Sequence, residues 1–492
     1  MAARKNFLYI YILAFFSGMC IMAIELSASR LMAPFFGTST FVWTNVIGII
    51  MVALSIGYLV GGKLADRRPN LEILLKILLA ACAFLITIPF AAPSVVGGIM
   101  SVLRHSKSSF TFIFFGSLAS ITLLFSLPIL LMGMTSPFLI RIVASREDVG
   151  NSAGHIFGIS TIGSIVGTFL PILVFIPTFG TGRTILFFAV LLLGVTAAGF
   201  ARKRYVILPL LCIVFLLVPL PAARKKSGLI YATESAYEYI EVLDNGRYRF
   251  LAYNNIAGFQ TIARKDSPVT GYYFDYYSLL PYLTGKKAET VCLIGLGGGI
   301  IANQIQYFHK GVNVDGIEID PKVITIAREY FALTDRTRVY NQDGRIFLNL
   351  ISKKYDIIIV DAFTQQIYIP FHLTTENFFR EAKQKMNAHG ILAINLACFR
   401  DTSPLLKSVT NTLLASFRNV YRVKIPATNN SLILASDGEI DFGKLSSASG
   451  TELDAIALYS MRSFQKVEFD PGVAVLTDDR APIEHMVDWE LL

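Results

Sequence analysis

Cysteine and histidine are scarce in this sequence of 492 residues. The five cysteines lie in apolar segments or strands without CxxC spacing, and the six histidines show no metal-ligand spacing. We therefore expect neither a disulfide framework nor a zinc site, and chemistry without a metal. Charged residues make up only 16%, and the second half has no basic stripe interleaved with aromatic residues, so nucleic acid is not expected as a partner.

Long apolar runs dominate the first half of the chain. Hydrophobic residues make up 53% of the sequence, and seven segments are close to the ~20 residues that cross ~30 Å of hydrocarbon. The first is too long for a cleaved signal peptide and is expected to stay in the protein. We predict a polytopic α-helical membrane domain over residues 1–226, with the lipid bilayer as a partner and seven or eight spans. The seven segments are Leu8–Ala28, Phe41–Gly62, Leu71–Ala91, Phe110–Met132, His155–Ile176, Thr184–Ala201 and Tyr205–Leu220.

A glycine-rich turn marks the second half as an α/β domain. The apolar stretch Val291–Ile294 runs into Gly295, Gly297 and Gly299, and Glu318 and Asp320 follow about twenty residues later. Glycines allow a tight turn and a close approach to a ligand, and a carboxylate at that distance can hold a ribose. A helix from Ile300 to Phe308 and a strand from Val312 to Ile319 provide the context that this motif needs.

Strands and helices continue to alternate after this turn, which predicts a doubly wound, Rossmann-like sheet of about seven strands. We place it in residues 286–492, after a small β-rich subdomain over 227–285. Ligands of such sheets bind at the carboxyl ends of the strands. Gly295, Glu318, Asp343 with Gly344, and Asp361 all fall at predicted strand ends.

These residues resemble the spermidine synthase (aminopropyltransferase) family, specifically its membrane-fused bacterial relatives. The resemblance covers about Ser235–Leu396 and the terminal stretch Leu476–Glu484. It implies a β-rich lid over about Tyr237–Ala263 and a methyltransferase-like sheet that binds S-adenosylmethionine or its decarboxylated form as co-substrate. By resemblance, Glu318 contacts the ribose hydroxyls, Asp343 the adenine amino group and Gln260 the region near the sulfonium, and Tyr273 and Asp361 occupy the catalytic position.

The chemistry of a sulfonium substrate makes independent sense of Asp361. A sulfonium is a good leaving group, so the enzyme must place a nucleophile in line with the adjacent carbon and remove its proton. Asp361 is the candidate base, Tyr273 would orient it, and methylthioadenosine would be the product. Each residue also has a structural interpretation, since Asp361 could cap a turn, Tyr273 could fill the core and Asp343 could start a helix. Asp320 and Asp275 stay open between binding and structural roles.

Three positions depart from the aminopropyltransferase pattern. Gly298 and Thr364 stand where the family usually has aspartates, and Phe274 replaces a histidine. Losing two carboxylates should weaken binding of a polyamine cation. The missing aspartate at Gly298, near the methionine tail, favours intact S-adenosylmethionine, because the carboxylate of that tail would otherwise meet a like charge. We therefore hypothesise an intramolecular displacement, in which the amine or carboxylate of the methionine tail closes a ring.

Other functions remain open from the sequence. One is a membrane-tethered spermidine synthase that transfers an aminopropyl group to putrescine. Another is a transporter with a regulatory nucleoside-binding domain, because Gly61–Arg68 resembles the short turn of major-facilitator transporters. A methyltransferase is a weaker fourth.

The orientation in the membrane involves a conflict. Basic residues cluster in alternate loops, which indicates a cytoplasmic N-terminus, and seven crossings would then place the enzyme domain outside. Its nucleoside substrate favours the cytoplasm, so we predict a multi-pass inner-membrane protein with a cytoplasmic catalytic domain. An eighth crossing near Pro89 and Pro93, or one segment fewer, would reconcile the two. The oligomeric state stays open, a homodimer included.

Overall fold

The computed structural model describes most of the chain, namely residues 2–103, 109–144, 148–200, 205, 207–221, 227–254, 258–284, 287–363, 368–398 and 400–490. The chain forms two compact units. The first consists of Met1–Lys226 and Thr233–Tyr239, and the second of Ser227–Ala232 and Ile240–Leu492.

Apolar helices build the first unit. Within the described residues, six helical stretches are long and apolar enough to cross a membrane: Phe7–Phe36, Thr40–Arg67, Leu71–Leu103, Thr111–Val143, Val149–Phe179 and Thr181–Ala198. The individual helices are α1 Ala2–Phe36, α2 Thr40–Arg67, α3 Leu71–Leu103, α4 Ser109–Gly133, α5 Thr135–Val143, α6 Val149–Leu170, α7 Ile176–Phe179, α8 Thr181–Ala198, α9 Ile207–Cys212 and α10 Val214–Leu217, with a π-helical turn at Pro171–Phe175.

Glycine allows α1 and α6 to pack with their backbones in contact. A Cβ atom at Gly163 would lie 2.0 Å from the carbonyl oxygen of Phe15, and one at Gly167 would lie 2.0 Å from that of Met19. Any larger residue would push the two helices apart. Such small-residue contacts are the usual means of tight packing between apolar helices.

The predicted seventh span, Tyr205–Leu220, differs from the other six. Its helical part, Ile207–Leu217, would be about 17 Å long as one regular helix, short of the ~30 Å of hydrocarbon. Yet Tyr205 stacks on Phe200 at one end of α8, and Leu220 reaches Gly182 at the other. The segment thus runs along the length of α8.

The eighth crossing proposed near Pro89 and Pro93 is wrong. Residues Leu71–Leu103 form the single helix α3, which passes through both prolines. Proline removes a backbone hydrogen bond but is tolerated in apolar helices, where neighbouring helices compensate. The two prolines therefore do not divide the segment.

A small sheet precedes the large one, as predicted, and most of its residues belong to the second unit. Its four strands lie in the order β1–β2–β3–β4, and both β2/β3 and β3/β4 are antiparallel. The sheet begins at Leu229, earlier than the predicted start of the lid at Tyr237. The strands are β1 Leu229–Glu234, β2 Tyr239–Asp244, β3 Tyr248–Tyr253 and β4 Thr261–Arg264.

An eight-stranded sheet forms the centre of the second unit, in the order β12–β10–β11–β9–β8–β5–β6–β7. The five strands from β9 to β7 are parallel, and β11, β10 and β12 add antiparallel neighbours. The strands are β5 Thr290–Ile294, β6 Asn313–Glu318, β7 Arg338–Asn341, β8 Tyr355–Val360, β9 Met386–Ala397, β10 Asn419–Lys424, β11 Asn430–Ser436 and β12 Gln465–Lys466.

Helices cover both faces of this sheet. Along β5, Val291 and Leu293 pack into one hydrophobic core, whereas Cys292 and Ile294 pack into another. This confirms the predicted Rossmann-like architecture, with β12 as an additional strand. The helices are α11 Leu280–Leu283, α12 Ile300–Phe308, α13 Pro321–Phe331, α14 Gly344–Leu350, α15 Glu376–Gln384, α16 Pro404–Ser416, α17 Asp454–Ser463 and α18 Ile483–Glu490, with 3₁₀ helices at Tyr273–Leu279, Phe371–Leu373 and Phe442–Ala448.

Candidate active site

Gly295 turns the chain sharply at the end of β5. Its φ is +89°, and a Cβ atom there would lie 2.4 Å from the carbonyl oxygen of Asp361. Only glycine combines this backbone conformation with so close an approach. The Gly295 amide donates to the carbonyl of Ile317 (3.0 Å), and the Asp361 amide donates to that of Ile294 (2.9 Å). The turn therefore holds the ends of β5, β6 and β8 together.

The rest of the glycine turn lies under the small sheet. Gly297 and Gly299 have φ values of +52° and +78°, and the Gly298 amide donates to Thr261 Oγ1 of β4 at 2.8 Å. The neighbouring Gln260 has a buried Nε2 that finds no hydrogen-bond partner in the described part of the chain. The site thus offers an unused donor close to the glycines.

Glu318, the last residue of β6, points its carboxylate at the glycine turn. It accepts hydrogen bonds from the amides of Gly297 (3.2 Å) and Asp320 (3.1 Å). The residue is only 8% exposed, and burial raises its pKa to about 7 in spite of these bonds. Glu318 can therefore accept from ligand hydroxyls, and it does so best when ionised above neutral pH.

Asp320 has a visible structural role. It caps α13 by accepting from the amide of Lys322 at 2.9 Å. Its other oxygen, Oδ2, is buried without a hydrogen-bond partner among the described residues. The capping interpretation thus accounts for one oxygen and leaves the second available.

Asp343 caps α14 after β7. It accepts from two amides in the first turn of that helix, at 2.9 and 3.0 Å, and its Oδ2 lies 3.2 Å from His372 Nε2. The histidine is the main reason that the pKa of Asp343 is lowered. A Cβ atom at Gly344 would lie 2.2 Å from the Ile294 side chain, so glycine keeps α14 close to β5. Asp343 is therefore an ionised acceptor one strand beyond Glu318.

Two tyrosine hydroxyls enclose the carboxylate of Asp361, which directly follows β8. Tyr273 donates to Oδ2 at 3.1 Å and Tyr277 donates to Oδ1 at 3.2 Å. Burial raises the pKa of Asp361 to about 7, although both hydrogen bonds favour the ionised form. A carboxylate that titrates near neutrality is suited to accept and release a proton.

The tyrosines come from the 3₁₀ helix Tyr273–Leu279. Burial and the nearby charge of Asp361 raise the pKa of both phenols well above the usual value, so both stay protonated donors. Phe274 is buried, and its ring packs 4.1 Å from that of Tyr273. Residue 274 is therefore an apolar ring that supports Tyr273.

Asn395 is a neighbour of Asp361 that sequence reasoning missed. It lies in β9, next to β8, and is 1% exposed. Its Oδ1 accepts from Asn430 (3.0 Å), and its amide is close enough to lower the pKa of both Asp361 and Tyr273. The available signal was a polar amide inside the apolar strand that runs from Ile391 to Leu396. Tyr277 and His372 were likewise not expected to have these roles.

The predicted residues thus lie along one sheet edge, and most of them fall into two groups close to the glycine turn. Tyr273 and Asp361 meet next to Gly295, while Glu318 meets Gly297 near Gln260. Asp343 and Gly344 lie one strand further along, and Asp320 turns toward α13.

At Gly298, one of the positions that depart from the family pattern, neighbouring side chains leave no room for a larger residue. A Cβ atom there would lie 2.7 Å from the Thr261 methyl group and 3.0 Å from the Phe331 ring. An aspartate would displace both neighbours, so the surroundings suit glycine. Thr364, the other substituted position, lies outside the described residues.

Asp275 and Asp478 have structural contacts. Asp275 is fully buried and accepts from the amides of Thr270 and Gly271, which fixes the loop before Tyr273. Both oxygens of Asp478 accept from Arg345 at 2.8 Å, which ties the terminal segment to α14.

Comparison of the sequence with known proteins identifies the family to which this chain is related. Residues 273–436 match the model of the spermine/spermidine synthase domain. A polyamine aminopropyltransferase of Vibrio vulnificus is 32% identical over 225 residues, which are 44% of this chain and 74% of that protein. The chain belongs to the spermine/spermidine synthase family. This confirms the family that the glycine turn and its carboxylates indicated.

Two further proteins are similar over different lengths. A probable polyamine aminopropyl transferase of Bifidobacterium longum is 30% identical over 287 residues, 54% of this chain, and the chain spans 64% of that relative. The crystal structure of a probable spermidine synthase from Corynebacterium glutamicum superposes with a TM-score of 0.41 and 18% identity, over 52% of this chain and 97% of that one.

Proposed function

We propose that this protein is a membrane-anchored enzyme that binds S-adenosylmethionine, or its decarboxylated form, and releases methylthioadenosine by displacement at the carbon next to sulfur. The observation that carries the proposal is the Asp361 carboxylate, held between two tyrosine hydroxyls beside the glycine turn. A base that titrates near neutrality, adjacent to a nucleoside-type turn, supports chemistry on a nucleoside.

The nucleoside contacts follow from the strand ends. Glu318 would accept from the ribose hydroxyls and Asp343 from the adenine amino group. Since Asp343 Oδ2 is bonded to His372 in this structure, nucleoside binding would exchange one donor for another at that oxygen. The adenosine would then lie across the ends of β5, β6 and β7.

Asp361 would serve as the proton acceptor of the displacement. A nucleophile forms a bond to the carbon as the bond from that carbon to sulfur breaks, and the electron pair leaves with sulfur as neutral methylthioadenosine. If the nucleophile is an amine, its proton passes to Asp361. Tyr273 and Tyr277 hold the carboxylate in place and stabilise its charge before the proton arrives.

The intact co-substrate is favoured by two features near the methionine tail. Gly298 leaves no carboxylate to repel the carboxylate of S-adenosylmethionine, and the buried Nε2 of Gln260 is a donor without a partner in the described residues. Of the two co-substrates, only intact S-adenosylmethionine has a carboxylate on its tail, and a carboxylate is a strong acceptor for such a donor. The nucleophile would then belong to the tail itself, with its carboxylate closing a five-membered lactone or its amine closing a four-membered ring.

Aminopropyl transfer to putrescine is the second candidate function. The relatives named polyamine aminopropyltransferase favour it, and it uses the same base for a separate amine. The two candidates differ in whether an added amine is required.

Product analysis with the purified full chain in detergent distinguishes them. The protein is incubated with S-adenosylmethionine alone, or with the decarboxylated form and putrescine, and the products are identified by mass spectrometry. Methylthioadenosine without added amine supports the intramolecular reaction, and spermidine supports the second candidate. S-adenosylhomocysteine would indicate methyl transfer instead, and absence of turnover in both mixtures would refute both candidates.

We also propose that the protein is a multi-pass protein of the inner membrane with its catalytic unit in the cytoplasm. Six apolar helices of sufficient length support membrane association, and the nucleoside substrate supports the cytoplasmic side. Protease treatment of spheroplasts tests the orientation. The catalytic unit should resist cleavage until the membrane is permeabilised, and cleavage in intact spheroplasts would contradict the proposal.

A further inference from the structure

A cavity lies beside α12, on the side of the glycine turn where the Phe331 ring packs against Gly298. It has a volume of about 620 Å³ and is bounded by the small sheet, α12 and the end of α13. That volume is in the range of pockets for small organic molecules. None of its lining residues in the described part of the chain is acidic, and none is Glu318, Asp343 or Asp361.

The rim of this cavity is basic. Asp244 accepts from two of its cations and Asp266 from a third. The hydrogen bond from Lys265 is the main reason that the pKa of Asp244 falls to about 2, so this carboxylate is ionised at neutral pH. An excess of positive charge remains after these pairings. The four cationic lining residues are Arg249, Arg264, Lys265 and Arg336.

Gln304 provides an unsatisfied acceptor at the same cavity. The residue is 2% exposed, and its Nε2 donates to the carbonyl of Pro268 at 2.8 Å and also to Asp275. Its Oε1 is buried and has no hydrogen-bond partner among the described residues. A buried acceptor without a partner loses solvation, which a ligand with an N–H or O–H group would restore.

The wall of the cavity is largely apolar. Ile300, Tyr330 and Phe331 contribute to it, and aromatic surfaces of this kind suit a planar, apolar ligand body. The basic rim, the Gln304 acceptor and the apolar wall together suit one kind of ligand. It is an anion with an apolar body and an N–H or O–H group that lies apart from its negative charge.

We propose that this cavity is a binding site for a small phosphorylated organic molecule. Its phosphate would lie at the basic rim, near Arg336 and the remaining N–H groups of Arg264, whose Nε and Nη2 donate to Asp266. Guanidinium groups match the geometry of phosphate oxygens. Its body would pack against Phe331 and Tyr330, and an N–H or O–H group would donate to Gln304 Oε1. The lining of the cavity includes none of the carboxylates proposed to hold the nucleoside, so we expect both ligands to bind at the same time.

Calorimetric titration of the full chain in detergent with 4-aminophenyl phosphate tests the proposal. We expect saturable binding, tighter than that of phenyl phosphate, which has no donor for Gln304. Protein saturated with methylthioadenosine should bind the probe with the same affinity. Competition between the two would overturn the proposal, as would the absence of saturable binding to the unmodified protein.

A double variant that removes two positive charges from the rim tests its role, and a single variant outside the cavity serves as the control. Arg336→Gln combined with Arg264→Gln should weaken binding by about tenfold or more, which corresponds to about 1.4 kcal/mol. Arg338→Gln removes an exposed arginine outside the cavity and should change the affinity less than twofold. Equal affinities in all three proteins, with unchanged thermal unfolding, would show that the basic rim does not hold the phosphate.

Discussion

Replacing Asp361 with asparagine tests the central element of the proposed mechanism. Asparagine has almost the same shape and can still accept a hydrogen bond from one of the two tyrosines, whose hydroxyls lie 3.1 and 3.2 Å from the carboxylate. It cannot accept a proton from a nucleophile. If the nucleophile is an amine, we therefore expect Asp361→Asn to lower kcat by about 10² to 10⁴, the usual contribution of a positioned general base. Binding of methylthioadenosine should change little.

The stability of the same variant should move in the opposite direction. The pKa of Asp361 rises from an ordinary value of 3.8 to about 7 in the folded protein. An acid whose pKa is higher in the folded state costs stability once it ionises, so the free energy of unfolding falls between about pH 4 and pH 7 and stays lower above. A difference of about three between the pKa values of the folded and unfolded states lowers the free energy of unfolding by about 4 kcal/mol once Asp361 is ionised. Asparagine removes this cost, and the variant should be at least as stable as the original protein at pH 8.

Two measurements on the full chain in detergent decide the matter. One is kcat for methylthioadenosine release at pH 8, and the other is the midpoint of thermal unfolding at pH 5 and pH 8. Asp335→Asn, at an exposed carboxylate on the surface, is the matched control and should leave both unchanged. If Asp361→Asn keeps more than a tenth of the original kcat, Asp361 is not the base. If the variant is several kcal/mol less stable at pH 8, the burial argument is wrong.

Four further predictions follow from the same geometry. Because Asp361 and Glu318 both have pKa values of about 7, kcat/KM should rise with pH and level off above neutrality, and a profile that falls over pH 6–8 would contradict this. Tyr273→Phe removes a hydrogen bond that favours ionised Asp361, so the midpoint of that profile should move to higher pH, and an acid shift would disprove the contact. Glu318→Gln should weaken methylthioadenosine binding at pH 8 by about tenfold or more, measured by calorimetry, and flatten its pH dependence; unaltered affinity would remove Glu318 from the site. Gly295→Ala places a Cβ 2.4 Å from the Asp361 carbonyl and should lower the unfolding free energy by at least about 1–3 kcal/mol, whereas an unchanged thermal midpoint would refute the close approach.

Much of the architecture could be predicted because it depends on local patterns. Apolar runs of about twenty residues identify spanning helices without any knowledge of their partners. The glycine turn after β5 and the carboxylates after β6 and β8 could be placed together, since the carboxyl ends of parallel strands meet at one edge of a sheet. Helix-capping aspartates such as Asp343 also follow from a short sequence signal.

Contacts between distant segments were not predictable in this way. Tyr277 reaches Asp361 across 84 residues of sequence, and His372 reaches Asp343 across 29. Which face of a short 3₁₀ helix meets the sheet depends on how the whole unit packs. Asn395 became part of the site only because β9 lies next to β8.

The sequence by itself determined the residue types of this site and their order along the sheet edge, because strand ends and tight turns are encoded by nearby residues. Only the tertiary structure decided their protonation. Glu318 and Asp361 are ordinary carboxylic acids in an unfolded chain, and their pKa values reach about 7 because folding removes them from water. Burial is produced by residues far away in the sequence, so the property that makes Asp361 a candidate base arises only when the chain is folded.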